Sequence, residues 1–417
     1  MKILHIVAGE LTGGAAKGAY YLHKGLIELG VDSKILTNSR ITFGDENIFS
    51  INTKKKDCLK NIVRNQLDIF LVRFYAKREK RIFSTGLFGF DFTKTKEYKE
   101  ADVVNLHWIN NGFVNIKHLK KVTKPIVWTI RDMWPMTGGC HYALDCNNYK
   151  NGCGFCKQLN SQKEKDLSRL MINRKKRYLP NDIKIVGISN WLSKEAKKSL
   201  LFKDFNIRTI SNNIDTGNFF PIEKEKAKQL LNLRTDKQII LAGANNLNSF
   251  YKGFNKFIES LKWLNVDEYL VCFFGNLDKD AIKIINKIGV EYKHFGYLEK
   301  VISLRLLYSA SDVFIAPSIQ EAFGKTITES MACGTPVVCF DATGPKDIVT
   351  HKIDGYKASP FKSEDLARGI DWILNNENYM EICQNARKKV EENFDIKIIA
   401  KKYKQLYEEI ITNENIN

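Results

Sequence analysis

The chain has 417 residues, 44% hydrophobic and 11% aromatic, with only 8 prolines. This composition excludes disordered, collagen-like and low-complexity classes, and the length predicts two domains of roughly 150 to 200 residues. A formal charge of +18 favours anionic partners: nucleotides, phosphorylated lipids, a membrane surface or nucleic acid. A surface simply decorated with lysine is the alternative.

The first apolar run, residues 2–7, is cut short by Glu10 and reads as a strand, not a signal peptide. No window holds the roughly 18 apolar residues of a spanning helix, which places the chain in the cytoplasm. Gly13 and Gly14 follow this strand, where missing side chains let a loop approach a ligand closely. A helix over 15–29 should end at Gly30, a left-handed C-cap. Short β-branched runs then recur at 31–37, 102–108, 125–131, 183–189 and 207–211, with helical segments between them. After Pro221 the rhythm restarts, with strands at 238–243, 268–275, 292–295, 312–317 and 336–340 and helices over 324–333 and 363–375. The pattern predicts an α/β chain of two doubly wound, Rossmann-like domains, 1–215 and 216–395. A charged helix over 396–417 could cross back to the first domain. Ligands of such sheets bind at the carboxyl ends of the strands.

Two segments interrupt the rhythm. Between Lys54 and Arg81, Leu59, Ile62, Val63, Leu67, Phe70, Leu71 and Phe74 fall at helical spacing among lysines and arginines. This suits an interfacial helix on an anionic membrane, or equally a stripe packed on its own domain. The loop 138–158 carries Cys140, Cys146, Cys153 and Cys156, the last two as Cys-x-x-Cys. Four thiols so close suit a structural zinc ion, with reduced or opportunistically paired cysteines as the alternative.

The most informative segment runs from Pro317 to Pro336. A strand ends, a loop carries Glu321, and Phe323 and Gly324 lead into a helix opening with Lys325 and Thr326 and bearing Glu329. Free amides at such a helix start attract a diphosphate, while Glu329 could accept hydrogen bonds from ribose hydroxyls. Glu321 and Glu329, separated by seven residues and followed by Gly334-Thr335-Pro336-Val337-Val338, resemble the retaining glycosyltransferase family 4 of GT-B fold. The resemblance implies two facing Rossmann-like domains with a nucleotide-sugar site between them, and catalysis without a required cofactor. It makes Lys252 the cation for the donor diphosphate and the backbone at Tyr297 and Leu298 the cradle of the base. It implies that Gly13-Gly14 face the donor, and that Glu321 lies beside the sugar. Many members carry an arginine a few residues before the lysine, where this chain has Asn246.

The same family commonly has histidines at two strand ends of the first domain. His107 keeps one and Arg131, followed by Asp132, replaces the other, so an orienting role is expected for His107 and a charge role for Arg131. The cysteine loop with its Trp134-to-Gly139 lead resembles a subset of bacterial exopolysaccharide and capsule glycosyltransferases, a setting shared with lipopolysaccharide synthesis. The expected partners are a nucleotide diphosphate sugar, a glycan or lipid-linked acceptor and the inner membrane surface, with no nucleic acid. A nucleotide-sugar epimerase or phosphorylase on the same fold, and a zinc-containing nucleic-acid-binding protein, are the rival readings.

Overall fold

The computed structural model describes residues 1–11, 13–40 and 44–414, and the chain divides into two compact units, Met1–Ser211 with Lys397–Asn417, and Asn212–Ile396. The first unit contains strands β1 (Lys2–Val7), β2 (Asp32–Thr37), β3 (Ile48–Ser50), β4 (Val103–Leu106), β5 (Ile126–Ile130), β6 (Lys184–Gly187) and β7 (Ile207–Thr209). They form a parallel sheet in the order β3-β2-β1-β4-β5-β6-β7. The second unit contains β8 (Gln238–Asn246), β9 (Tyr269–Asn276), β10 (Tyr292–His294), β11 (Val313–Ala316), β12 (Val337–Phe340) and β13 (Gly355–Ala358). Its parallel order is β10-β9-β8-β11-β12-β13. Central strands such as Val313–Ala316 and Val337–Phe340 are buried throughout, because helices cover both faces of a doubly wound sheet. Strand order reverses between β1 and β4, and between β8 and β11, so each unit has a crevice beyond those strand ends.

Local chemistry explains the boundaries. The helix Gly14–Glu28 stops in a Schellman turn: Gly30 N–H donates to Ile27 O (2.9 Å) and Val31 N–H to Leu26 O (3.0 Å), with Gly30 at φ +74°. Two strands lie outside the sequence expectations. β3 has only three residues, and β13 opens with Gly355, where a Cβ would press on the Val337 backbone.

The last helix, Ile396–Glu414, belongs from Lys397 onward to the first unit. Ile399, Ala400, Tyr403, Leu406, Tyr407 and Ile410 form one helical stripe packed with Ile3, Val103, Val127 and Val186 of that sheet. Asn105 Nδ2 donates to the Tyr407 hydroxyl at 2.6 Å, and the Thr129 and Tyr403 hydroxyls lie 3.1 Å apart, so the polar atoms of this interface are paired.

Candidate active site

The second unit assembles its site at the reversal point between β8 and β11. Lys252 lies just past the end of β8, and Glu321 lies in the loop after β11. They are 69 residues apart in sequence, yet the Lys252 ammonium is ion-paired with the Glu321 carboxylate. Both side chains remain about a quarter exposed, at 24% and 23%. Burial alone would lower the Lys252 pKa, but the Glu321 charge and hydrogen bond outweigh it and hold the ammonium above its ordinary value. Gly253 makes the approach possible: it sits at φ +64°, and a Cβ there would collide with the Pro317 carbonyl oxygen. Thr326 and Lys252 line one small pocket with Gly243 and Ser318.

The Glu321 loop is fixed from the far side. Its N–H donates to Thr343 Oγ1 at 3.2 Å, and its carbonyl accepts from Gly344 N–H at 2.9 Å. Thr343 adopts φ +49°, and a Cβ on Gly344 would lie 2.6 Å from the Ala322 and Phe323 backbone. Phe323 is buried against Phe394, with ring centroids 5.5 Å apart. Gly324, at φ +124°, is the N-cap of the helix Lys325–Ala332. Lys325 Nζ donates to the Asn213 carbonyl at 3.1 Å. Glu329 is only 5% exposed, and its carboxylate accepts from the buried Tyr308 hydroxyl at 3.3 Å. Beyond β10, Tyr297 is exposed and Leu298 half-buried, after Gly296 at φ +66° whose carbonyl accepts from Gly275 N–H at 2.7 Å. Sequence reasoning missed Thr343 and Tyr308, since neither falls at a fixed spacing from the glutamate it holds.

In the first unit, Gly13 caps the helix that Gly14 opens, with no atom within 4 Å of a Cβ built on either. His107 and Arg131 directly follow β4 and β5, at the strand ends where they were expected, and both are buried, at 2% and 7% exposure. Arg131 Nε donates to His107 Nδ1 at 3.2 Å, and His107 Nε2 lies 2.9 Å from His5 Nδ1. A guanidinium only donates, so His107 carries its proton on Nε2 and donates to His5. Burial, then the Arg131 charge, then His5 push the His107 pKa well below its ordinary value. Burial also lowers Arg131, to about 10, leaving it a cation at neutral pH. Asp132 is bonded to His141 Nδ1 at 2.6 Å and to Trp108 Nε1 at 2.8 Å. Cys140, Cys146, Cys153 and Cys156 line one small pocket, though among the described residues no group of three or more His, Cys, Asp or Glu side chains is arranged to hold a metal ion.

Residues 223–390, which carry Lys252, Glu321 and Glu329, match the family described as Glycosyl transferases group 1. The matched segment lies within the second unit. Its relatives include the Campylobacter jejuni N,N'-diacetylbacillosaminyl-diphospho-undecaprenol alpha-1,3-N-acetylgalactosaminyltransferase, 29% identical over 52% of this chain and 58% of the relative's own length. An uncharacterized glycosyltransferase of Methanocaldococcus jannaschii is 24% identical over 95% of each chain. The solved sucrose-phosphate synthase of Thermosynechococcus elongatus superposes with a TM-score of 0.72 at 18% identity, covering 99% of this chain and 100% of that one. The matched segment thus sits in a chain whose two parallel-sheet units have the GT-B fold, and the relatives it resembles include bacterial glycosyltransferases.

Proposed function

We propose that the chain transfers a sugar, with retention of anomeric configuration, from a nucleotide diphosphate sugar to a glycan or lipid-linked acceptor of a bacterial surface polysaccharide. The observation that carries this reading is the Lys252–Glu321 pair at the reversal point of the second sheet, with Glu329 one helix away. The Lys252 ammonium and the amides opening the helix Lys325–Ala332 hold the diphosphate, Glu329 takes the ribose, and Glu321 orients the sugar. The bond from the anomeric carbon to the phosphate oxygen breaks and a bond to the acceptor oxygen forms. The acceptor proton leaves on the departing phosphate, and the developing charge is met by Lys252.

A lipid-linked acceptor is supported by the exposed face of the helix Lys55–Phe70, with Leu59 62% exposed, and of the turn after it, with Phe74 71% exposed. Ile62, Val63 and Phe70 are exposed beside them, with Lys55, Lys56 and Lys60 on the same helix. An apolar stripe with basic flanks fits the inner, anionic surface of a membrane, and no helix among the described residues is long and apolar enough to cross one. The name of the Campylobacter relative specifies a diphospho-undecaprenol substrate. The test is a panel of nucleotide sugars scored for nucleotide release. Turnover of one donor that disappears in Glu321→Gln supports the reading; no release from any donor by folded protein refutes it.

A further inference from the structure

Building on the sugar-orienting role proposed for Glu321, we infer that Thr343 is a positioning residue for the same reaction: its hydroxyl fixes the Glu321 peptide, and the fold accepts a strained backbone to place that hydroxyl. In the second sheet β11 lies between β8 and β12, and the loop after β11 is bonded to the segments beyond both neighbours. Three successive amides make the attachment. Ile319 N–H and Gln320 N–H donate to the Tyr251 carbonyl, beyond β8, at 2.8 and 3.2 Å. Glu321 N–H donates to Thr343 Oγ1, beyond β12, at 3.2 Å, and Gly344 N–H returns a bond to the Glu321 carbonyl at 2.9 Å. Of these four bonds, the one from Glu321 N–H to Thr343 Oγ1 alone involves a side chain, so residue choice sets it directly. It also meets Glu321 itself, whose carboxylate is paired with Lys252.

The backbone at this point is costly. Thr343 sits at φ +49°, in the left-handed region where a β-branched side chain is an outlier. The next residue is a glycine, yet Gly344 has φ −62°, a conformation open to any residue. Glycine is needed at 344 for room, since a Cβ there would lie 2.6 Å from the Ala322 and Phe323 backbone. The left-handed step therefore falls on 343, where glycine would carry no strain. Threonine instead puts an acceptor within bonding distance of the Glu321 amide. Packing does not account for the choice, because Thr343 is only half-buried. Strain of this kind persists where the surrounding structure holds it and the site gains from it.

The consequences separate binding from turnover. The donor diphosphate is assigned to Lys252 and the amides opening the helix Lys325–Ala332, none of which touches Thr343. Without the hydroxyl, the Glu321 peptide keeps one bond to the 343–344 segment instead of two, and the carboxylate beside the sugar loses its register. A misplacement of about 1 Å at a reacting centre costs up to about a hundredfold in rate.

The test compares nucleotide release from the preferred donor in wild type, Thr343→Val, Thr343→Ser, Thr343→Gly and Glu321→Gln, with melting temperatures and calorimetric affinity for that donor's free nucleoside diphosphate. Thr343→Val should lower kcat by about ten- to a hundredfold with unchanged nucleoside diphosphate affinity. Thr343→Ser, which keeps the hydroxyl, should restore most of the turnover. Thr343→Gly should lose turnover as Thr343→Val does while melting no lower than wild type, because it relieves the left-handed strain; should Thr343→Val not fold, this variant alone decides. Wild-type kcat in Thr343→Gly, Thr343→Ser as slow as Thr343→Val, or a loss of turnover that follows the melting temperature would overturn the inference. If Glu321→Gln is inactive and Thr343→Val is not, only the role of Thr343 fails; full turnover in Glu321→Gln removes that role together with the reading of Glu321 beneath it.

Discussion

Replacing Lys252 by Met separates a functional cation from a structural one. The Lys252–Glu321 pair is about a quarter exposed, so solvent screens it, and its contribution to folding is at most about 1 kcal/mol. The Met side chain also keeps most of the apolar stem in place. If Lys252 meets charge developing on a departing diphosphate, its loss should cost about 2.7–4 kcal/mol at the transition state, a fall of about 10²–10³ in turnover. The assay is nucleotide release from the preferred donor, with melting temperature measured on the same preparations. Glu321→Gln should behave likewise, and the double variant should cost little more than the worse single one, since both groups act on one donor. Turnover within about tenfold of wild type, or a thermal destabilisation that accounts for the lost activity, would refute the reasoning.

Ending the chain after Ile396 should prevent the first unit from folding: it exposes the core around Ile399, Tyr403, Leu406, Tyr407 and Ile410, on the order of 10 kcal/mol of burial at about 1.5–3 kcal/mol per side chain. Limited proteolysis would show the loss, and a protease-resistant first unit would contradict it. Stability should also fall in mild acid. Burial, opposed by Asp45, lowers the His23 pKa to about 4, so the folded protein keeps this imidazole neutral while the unfolded chain protonates it near 6.5. The unfolded state then binds more protons, and the stability present above that value is lost as pH falls toward 4, by about 2 kcal/mol at pH 5. Urea midpoints at pH 7 and pH 5 measure it, and His23→Gln should flatten the slope. Liposomes with anionic lipid should float the protein at low salt, and Leu59→Glu with Phe74→Glu should abolish flotation without changing nucleotide release.

The strand–loop–helix frame around Glu321 and Glu329 was legible because each step is local: a β-branched run, a glycine at a turn and a helix of known period. The ion pair with Lys252 was not, since strand order alone closes a gap of 69 residues. Thr343 and Tyr308 escaped for the same reason: the loops after neighbouring strands β11 and β12 bring Thr343 to Glu321, and two packed helices bring Tyr308 to Glu329, and neither arrangement has a fixed spacing in sequence. The burial of His107 and Arg131 was not legible for a different reason. Strand ends in an open sheet are ordinarily exposed, but here Tyr403 and Tyr407 of the last helix are electrostatic neighbours of Arg131, some 270 residues further along the chain. The exposed stripe near residue 60 was visible in sequence as a periodicity, and only the structure distinguishes it from a packed face.

The buried network of the first unit bears on where the acceptor proton goes. His107 Nδ1 receives the Arg131 hydrogen bond and its Nε2 proton is given to His5, so neither nitrogen offers a lone pair to a substrate. Asp132 is engaged on both oxygens, by Trp134 N–H at 2.9 Å on one and by Trp108 and His141 on the other. His141 spends its second nitrogen on Ser84 Oγ at 3.0 Å. His5 accepts at Nδ1 and so carries its own proton on Nε2, which leaves no imidazole of this network with a free lone pair, and Arg131, still cationic at neutral pH, cannot accept a proton. A proton leaving the acceptor hydroxyl is better received by the phosphate oxygen released in the same step, which gains negative charge as the bond to the sugar breaks. On this argument Arg131→His would not create a faster enzyme; it would free the His107 Nδ1 lone pair and return an acid-titrating imidazole to the core, costing stability below neutral pH.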